Sequence, residues 1–233
     1  MALDPQMNDE VLTFTMPQQK ADYADDAEID AELDELPDDE TVEETVANLE
    51  ERGFDVIVVD DADEALTAVK SQIPDGVSVM NGHSTTLEEI GFDEFLSEGD
   101  HDWESLPDQI WSIDDDAERQ TARRESQTAD YFLGGINAVA QTGELVAADL
   151  SGSRIGAYPF AAGNVVIVTG ANKVVPTLSD AFDRLESVAY PLENERAQEA
   201  YGAESAIAKQ LVYRRETEEG RTTVVLVREQ LGY

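Results

Sequence analysis

The order strand, helix, strand between residues 54 and 80 limits the fold of this chain more than any other feature. The run "FDVIVVD" is continuously apolar and is typical of a buried strand. "DADEALTAVKSQIP" then predicts a helix that begins with acidic residues and ends before Pro74, and "GVSVM" predicts the next strand. Strands that alternate with helices in this way favour parallel pairing with right-handed crossovers. We therefore expect an α/β fold with an open, mainly parallel sheet flanked by helices.

The pattern continues along the chain from Thr41. "TVEETVANLEERG" predicts a helix that ends at Gly53, and residues 117–128 and "PTLSDAFDRLESVA" predict two more. "ADYFLGGINAVAQTGELVAAD" predicts a strand, a turn with a short strand or helical turn, and a further strand, and "GNVVIVTG" is the most strand-like run. Near the end, "AKQLVYRR" and "RTTVVLVRE" flank the turn "ETEEG", so we expect an added terminal hairpin.

Residues 1–40 differ in composition from the α/β domain expected over residues 41–233. "KADYADDAEIDAELDELPDDE" is dense in carboxylates, and Lys20 is its only base. Blocks of like charge are typical of solvated segments. We expect an acidic tail that is flexible or partly helical and not needed for folding, with a docking arm as the alternative.

The charge of the chain restricts its partners and its surroundings. With 52 acidic against 15 basic residues its net charge is −37, a composition typical of proteins that work in concentrated salt. Such a surface repels nucleic-acid phosphates and anionic lipids, so we expect neither as a partner. The absence of cysteine excludes disulfides, thiolate nucleophiles and cysteine-ligated iron–sulfur clusters in this chain. No apolar run approaches the roughly 20 residues of a membrane span, and no signal peptide opens the chain, so we expect a cytoplasmic protein.

A polar loop follows the strand "GVSVM", where open α/β sheets bind ligands. Its residues are Asn81, Gly82, His83, Ser84 and Thr85. A hydroxyl here caps the next helix, whose free amides favour phosphate or carboxylate. A capping box from Thr85 to Glu88 accounts for the same residues without any ligand, so both interpretations stay open.

Three further strand-end loops carry small, amide or cationic residues. They are Gly134, Gly135 and Asn137; Gly152, Ser153 and Arg154; and Gly170, Asn172 and Lys173. Because parallel strands end at one edge of a sheet, we expect these loops to converge on a small anion. Arg154 is the strongest candidate for holding a carboxylate or phosphate, and an internal ion pair with Asp149 is its alternative. For the glycines and Lys173, the alternatives are packing turns and a solvated lysine.

No catalytic set emerges from the residues. His83 and His101 without an HExxH helix make no zinc site, so we expect no metal, and no nucleophile elbow, GxGxxG or Walker sequence is present. Carboxylates are too numerous for an acid/base pair to be chosen, so the catalytic residues stay unassigned.

Several segments resemble the LUD-domain family of lactate utilisation proteins, of the LutC/YkgG type. They are "NGHSTTLEEIGF", "ADYFLGGINAVAQTGELVAAD", "SGSRIGAYPFAAGNVVIVTGANKVV", "VAYPLENERA" and "VVLVREQLGY". The resemblance as a whole extends over roughly residues 41–233. The resemblance implies a fold like that of the sugar-isomerase and coenzyme A transferase group, with a pocket at the strand ends. Many relatives carry a cysteine cluster where this chain reads "AQEAYGAESAIAKQ", so that feature of the family does not transfer.

The resemblance also implies a function. It predicts an accessory or ligand-binding subunit in the oxidation of lactate to pyruvate, acting beside an iron–sulfur oxidoreductase and a second LUD-containing subunit. Any iron–sulfur cluster is then expected in a partner, with no cofactor in this chain. The alternatives are a stand-alone enzyme of the same fold group, acting on a phosphorylated sugar, a folate or a thioester, and a regulatory binding module.

Overall fold

A computed structural model of the chain describes residues 19–22, 27–98 and 101–233. Its helices are α1 (Asp39–Glu51), α2 (Ala62–Gln72), α3 (Thr85–Glu89), α4 (Phe92–Glu98), α5 (Leu106–Trp111), α6 (Asp116–Glu125), α7 (Ser153–Gly156), α8 (Leu178–Arg184) and α9 (Tyr190–Tyr201). Its strands are β1 (Asp55–Val59), β2 (Ser78–Asn81), β3 (Glu104–Ser105), β4 (Tyr131–Gly135), β5 (Ala138–Ala140), β6 (Leu145–Asp149), β7 (Asn164–Gly170), β8 (Val174–Val175), β9 (Lys209–Tyr213) and β10 (Thr222–Val227). Within these residues no helix is long and apolar enough to cross a bilayer.

The main sheet has six strands in the order β1-β10-β7-β4-β2-β3, and every pair in it is parallel. The expected open, parallel α/β sheet is therefore confirmed. Acidic caps begin the first two helices: the side chain of Asp38 accepts a hydrogen bond from Thr41 N, and that of Asp61 accepts one from Glu64 N. These caps fix where α1 and α2 start on either side of β1.

A second sheet has the order β8-β5-β6-β9. The expected terminal hairpin is wrong: β9 pairs with β6, antiparallel, whereas β10 lies between β1 and β7 in the main sheet. All six residues of β10 are buried, as suits the centre of a parallel sheet covered on both faces. The first two residues of β9, Lys209 and Gln210, are exposed, as suits an edge strand.

Alternate residues of the main sheet face two different cores. Val166 and Val225 pack with α2, α3 and α4 on one face, while Ile167 and Val224 pack between the two sheets and against α1. On the far side of the second sheet, a third cluster includes Ala181 of α8. The order of layers is therefore helices, main sheet, second sheet and helices.

Part of the acidic N-terminal region packs on this framework. We call residues 27–35 the strap; they include a short 3₁₀ helix, Ala31–Asp34. Leu33 contacts the cluster around α8, Ile29 contacts Val188 and Leu192, and Asp34 is buried with 4% of its surface exposed. These residues are placed by tertiary contacts, although their composition alone indicates solvation.

Candidate functional site

The carboxyl ends of β2, β4 and β7 lie side by side at one edge of the main sheet. Asn81 pairs with Leu133, and Gly135 with Val168, so the loops after the three strands are neighbours. This arrangement brings together the residues that follow Asn81, Gly135 and Gly170. Residues 228–233, which we call the C-terminal segment, pack against the same loops through hydrogen bonds to Ala171, Asn172 and Lys173.

The loop after β2 is shaped by its contacts with other loops. Ser84 is the N-cap of α3, because its hydroxyl accepts a hydrogen bond from Leu87 N at 3.4 Å. Gly82 lies against the stem of Arg154, where any Cβ would overlap Cγ. A Cβ on Gly135 would approach Ser84 Oγ to 2.6 Å. The glycines therefore allow the loops of β2, β4 and β6 to touch one another.

Arg154 is anchored by the internal ion pair with Asp149. Its Nε donates to Asp149 Oδ1 at 2.8 Å, and Nη2 donates to the Ala148 carbonyl at 2.8 Å. The other oxygen of Asp149 accepts the backbone amides of Arg154 and Ile155. Burial lowers the pKa of Arg154, but the charge of Asp149 outweighs that effect and holds it above the usual value.

The ion pair uses only one edge of the guanidinium. Within the described residues, Arg154 Nη1 makes no hydrogen bond, and 15% of the side chain is exposed. A guanidinium has two edges that fit a carboxylate, and the pair with Asp149 occupies the edge that contains Nε. The end of the group that carries Nη1 therefore retains donors in a fixed orientation.

His83 is the exposed member of this loop. Its side chain is 42% exposed, and Nδ1 lies 3.3 Å from Glu88 Oε1. Asn81 turns away from it and donates to Asp93 Oδ1 at 2.6 Å. Burial, together with the charge of Glu88, raises the pKa of Asp93 to about 7.

Helix α9 closes the same region with residues that the sequence analysis did not select. Glu193 accepts two hydrogen bonds of 2.8 Å from Arg196 and one of 2.9 Å from the Tyr233 hydroxyl. Burial raises the pKa of Glu193, but Arg196 and the nearby His83 outweigh it, and the pKa is lowered. The only available sequence signal was the segment "VAYPLENERA", in which Arg196 is a rare base.

Thr85 contributes a buried hydroxyl to this region. It is 5% exposed and lies beside the Tyr233 hydroxyl, and no group in the described chain holds its Oγ1 at hydrogen-bonding geometry. Its interaction with the Tyr233 hydroxyl partly offsets the burial that raises the pKa of Tyr233.

Lys173 and Asn172 lie deeper, at the end of β7. Lys173 is 1% exposed, and its Nζ donates to Thr86 Oγ1 at 2.8 Å and to the carbonyls of Ile136 and Tyr233 at 3.2 Å. Burial, followed by the charge of Arg184, lowers its pKa well below the usual value. Lys173 is thus enclosed, and it is not a solvated surface lysine.

The remaining selected residues have structural contacts. Asn137 Oδ1 accepts the amide of Ala148 at 2.8 Å and so joins β5 to β6. Gly134 leaves room for Tyr158, whose hydroxyl donates to the Gly135 carbonyl at 2.8 Å. Gly152 has a φ of +91° before α7, and its neighbour Ser153 bonds to Ser151.

Comparison with known proteins places the chain in a family. The family model of the LUD domain matches residues 42–227. The chain belongs to the LUD-domain family. A crystal structure of a DUF162 family protein from Deinococcus radiodurans is similar to this LUD-domain chain, with a TM-score of 0.48 and 14% identity over 83% of this chain and 99% of that one. A comparison with curated proteins finds no match.

Proposed function

We propose that this LUD-domain protein is an accessory or ligand-binding subunit in the oxidation of lactate to pyruvate. The family is linked to lactate utilisation proteins in general, which supports this role. An iron–sulfur oxidoreductase and a second LUD-containing subunit are the proposed partners, and they would supply the redox centres. This chain supplies the site for the organic acid.

The site lies between the β2–α3 loop, Arg154 and α9. The observation that carries the proposal is the Nη1 end of Arg154, which makes no hydrogen bond to the described residues while the other edge is fixed by Asp149. A pre-oriented guanidinium binds a carboxylate without an added ordering cost. The exposed ring of His83 belongs to the same loop and suits the hydroxyl or keto oxygen of a 2-hydroxy or 2-keto acid.

Titration calorimetry with L-lactate and with pyruvate tests the proposal on the wild type, Arg154→Lys and His83→Gln. Lysine keeps the charge beside Asp149 but lacks the planar fork, so we expect Arg154→Lys to bind roughly 10–100-fold more weakly, since a hydrogen bond to a charged group contributes about 1.5–3 kcal/mol. His83→Gln should weaken binding with little change in the melting temperature, because the ring is half exposed.

Arg214→Lys is the matched control, since that side chain is 63% exposed and pairs with Glu144. It should leave binding unchanged. If Arg154→Lys lowers the melting temperature but binds as the wild type does, Arg154 has only the structural role. If the wild type binds neither acid at millimolar concentration, the proposed function is wrong.

A further inference from the structure

One buried carboxylate of the strap, that of Asp34, accepts hydrogen bonds from several distant parts of the chain. Asp34 Oδ1 accepts hydrogen bonds from Asn172 Nδ2 at 2.8 Å and from Arg184 Nη2 at 2.6 Å. Its Oδ2 accepts from Lys20 Nζ and from Gln230 Nε2, the latter at 3.1 Å. Four donors from four separate segments therefore converge on one carboxylate.

Arg184 of helix α8 is the central donor of this group, which we call the receptor. It is fully buried, with no exposed surface, and it also donates to the carbonyls of Asn137 and Asn172. Burial lowers its pKa to about 10, against the opposing effect of Asp34. A buried guanidinium without an anion is costly, so this position requires a carboxylate or an equivalent.

Asn172 is held ready for the same anion. Its Oδ1 accepts the amide of Leu231 at 3.1 Å, and this bond orients the Nδ2 group toward Asp34. The backbone oxygen of Asn172 meets Arg184 Nε. Both donors are thus fixed by the domain and by the C-terminal segment, and neither depends on the strap for its orientation.

The strap is held to the rest of the chain more weakly than Arg184 and Asn172 are. It forms only the short 3₁₀ helix Ala31–Asp34, and its apolar contacts come from Ala27, Ile29 and Leu33. Shortly after it in sequence come the exposed acids Asp38, Asp39 and Glu40. Segments with few buried apolar contacts open at lower free energy than the sheet core.

We propose that Arg184 and Asn172 form a carboxylate receptor that is filled by the chain's own Asp34, and that it accepts a small free carboxylate when Asp34 is withdrawn. The ligand class is a monocarboxylate of the size of acetate. This inference does not rest on the proposed function, because the receptor uses neither Arg154 nor His83.

Chemical rescue of Asp34→Gly tests the proposal. The variant removes one carboxymethyl group and leaves Arg184 without its anion, so its melting temperature should fall by about 6–20 °C. Sodium acetate, exchanged for sodium chloride at constant ionic strength, should raise it again by about 5 °C or more at a concentration 100 times the dissociation constant. The wild type should show no such response, since Asp34 fills the receptor.

Three variants separate this effect from general salt stabilisation. Asp30→Gly changes an exposed acid of the same strap and should not respond to acetate. Asp34→Asn loses the charge but keeps the space filled, so it should be destabilised without rescue. In Asp34→Gly/Arg184→Met the receptor is gone, and the acetate response should disappear.

The outcomes decide the proposal even if Asp34→Gly is unfolded in chloride. In that case circular dichroism follows refolding as acetate replaces chloride, and recovery of the native signal is the positive result. Equal rescue by chloride and acetate, or rescue that persists in the double variant, would overturn the proposal. No rescue by either salt would overturn it as well.

Discussion

Asp93 provides a sharp test of the electrostatics beside the candidate site. It lies in the first turn of α4, where Asn81 donates to it and the charge of Glu88 acts on it. Because its pKa is about 7 when folded and near 3.8 in the unfolded chain, the folded state retains a proton that the unfolded state loses. Stability from this group is therefore complete below about pH 4 and is lost as the pH rises through 7.

The substitution Asp93→Asn removes this loss while keeping the oxygen that accepts from Asn81. Three pKa units correspond to about 4 kcal/mol, and partial access of water reduces this, so we expect a gain of about 2–4 kcal/mol at pH 8. The gain should shrink to about 1–2 kcal/mol at pH 5. In melting temperature this is an increase of about 4–16 °C at pH 8.

Thermal melts of both proteins from pH 5 to pH 8.5 in fixed salt measure this difference. The control is Glu94→Gln, an exposed neighbour on the same helix, which removes one negative charge without relieving a buried one. A stability gain that is independent of pH, or one that Glu94→Gln reproduces, would refute the reasoning.

Two further predictions concern packing and salt. Gly134→Ala should lower the free energy of unfolding by about 1–3 kcal/mol, because the new methyl group overlaps the Tyr158 hydroxyl. The double variant Gly134→Ala/Tyr158→Phe should recover part of this loss in thermal melts. Equal melting temperatures for the wild type and Gly134→Ala would count against the prediction. With a net charge of −37, the fold should also need salt to screen the repulsion between its acidic side chains. Circular dichroism should show the native signal in molar KCl and its loss at 0.01 M salt, where the Debye length is about 30 Å. Full stability in dilute buffer would contradict this.

The main sheet could be predicted from local patterns, but the placement of its last strand could not. The apolar runs at β1, β2, β7 and β10 each have the length and composition of buried strands. Adjacent strands often pair, and on that basis β9 and β10 are expected to form a hairpin. The observed partners of β10 lie far away in sequence, and only the burial of both its faces explains its central position.

The ion pairs of the candidate site and of the Asp34 receptor show the same division between local and distant contacts. The pair of Asp149 with Arg154 spans five residues, so it can be expected from the sequence as an alternative to ligand binding. The pair of Asp34 with Arg184 spans 150 residues and joins a segment of acidic composition to a buried helix position. The composition of a segment describes its average character. It does not reveal which single carboxylate is buried, because that depends on a partner far away in sequence.

The central position of β10 has a consequence for how the protein is made. Strands β1 and β7 do not touch each other, and only β10 joins them, through the registers that begin at Asp55 with Thr223 and at Val165 with Thr222. Until residues 222–227 have been synthesised, the valine-rich edges with which β1 and β7 pair to β10 remain unpaired. We therefore expect the main sheet to be completed only after residues 222–227 have been synthesised.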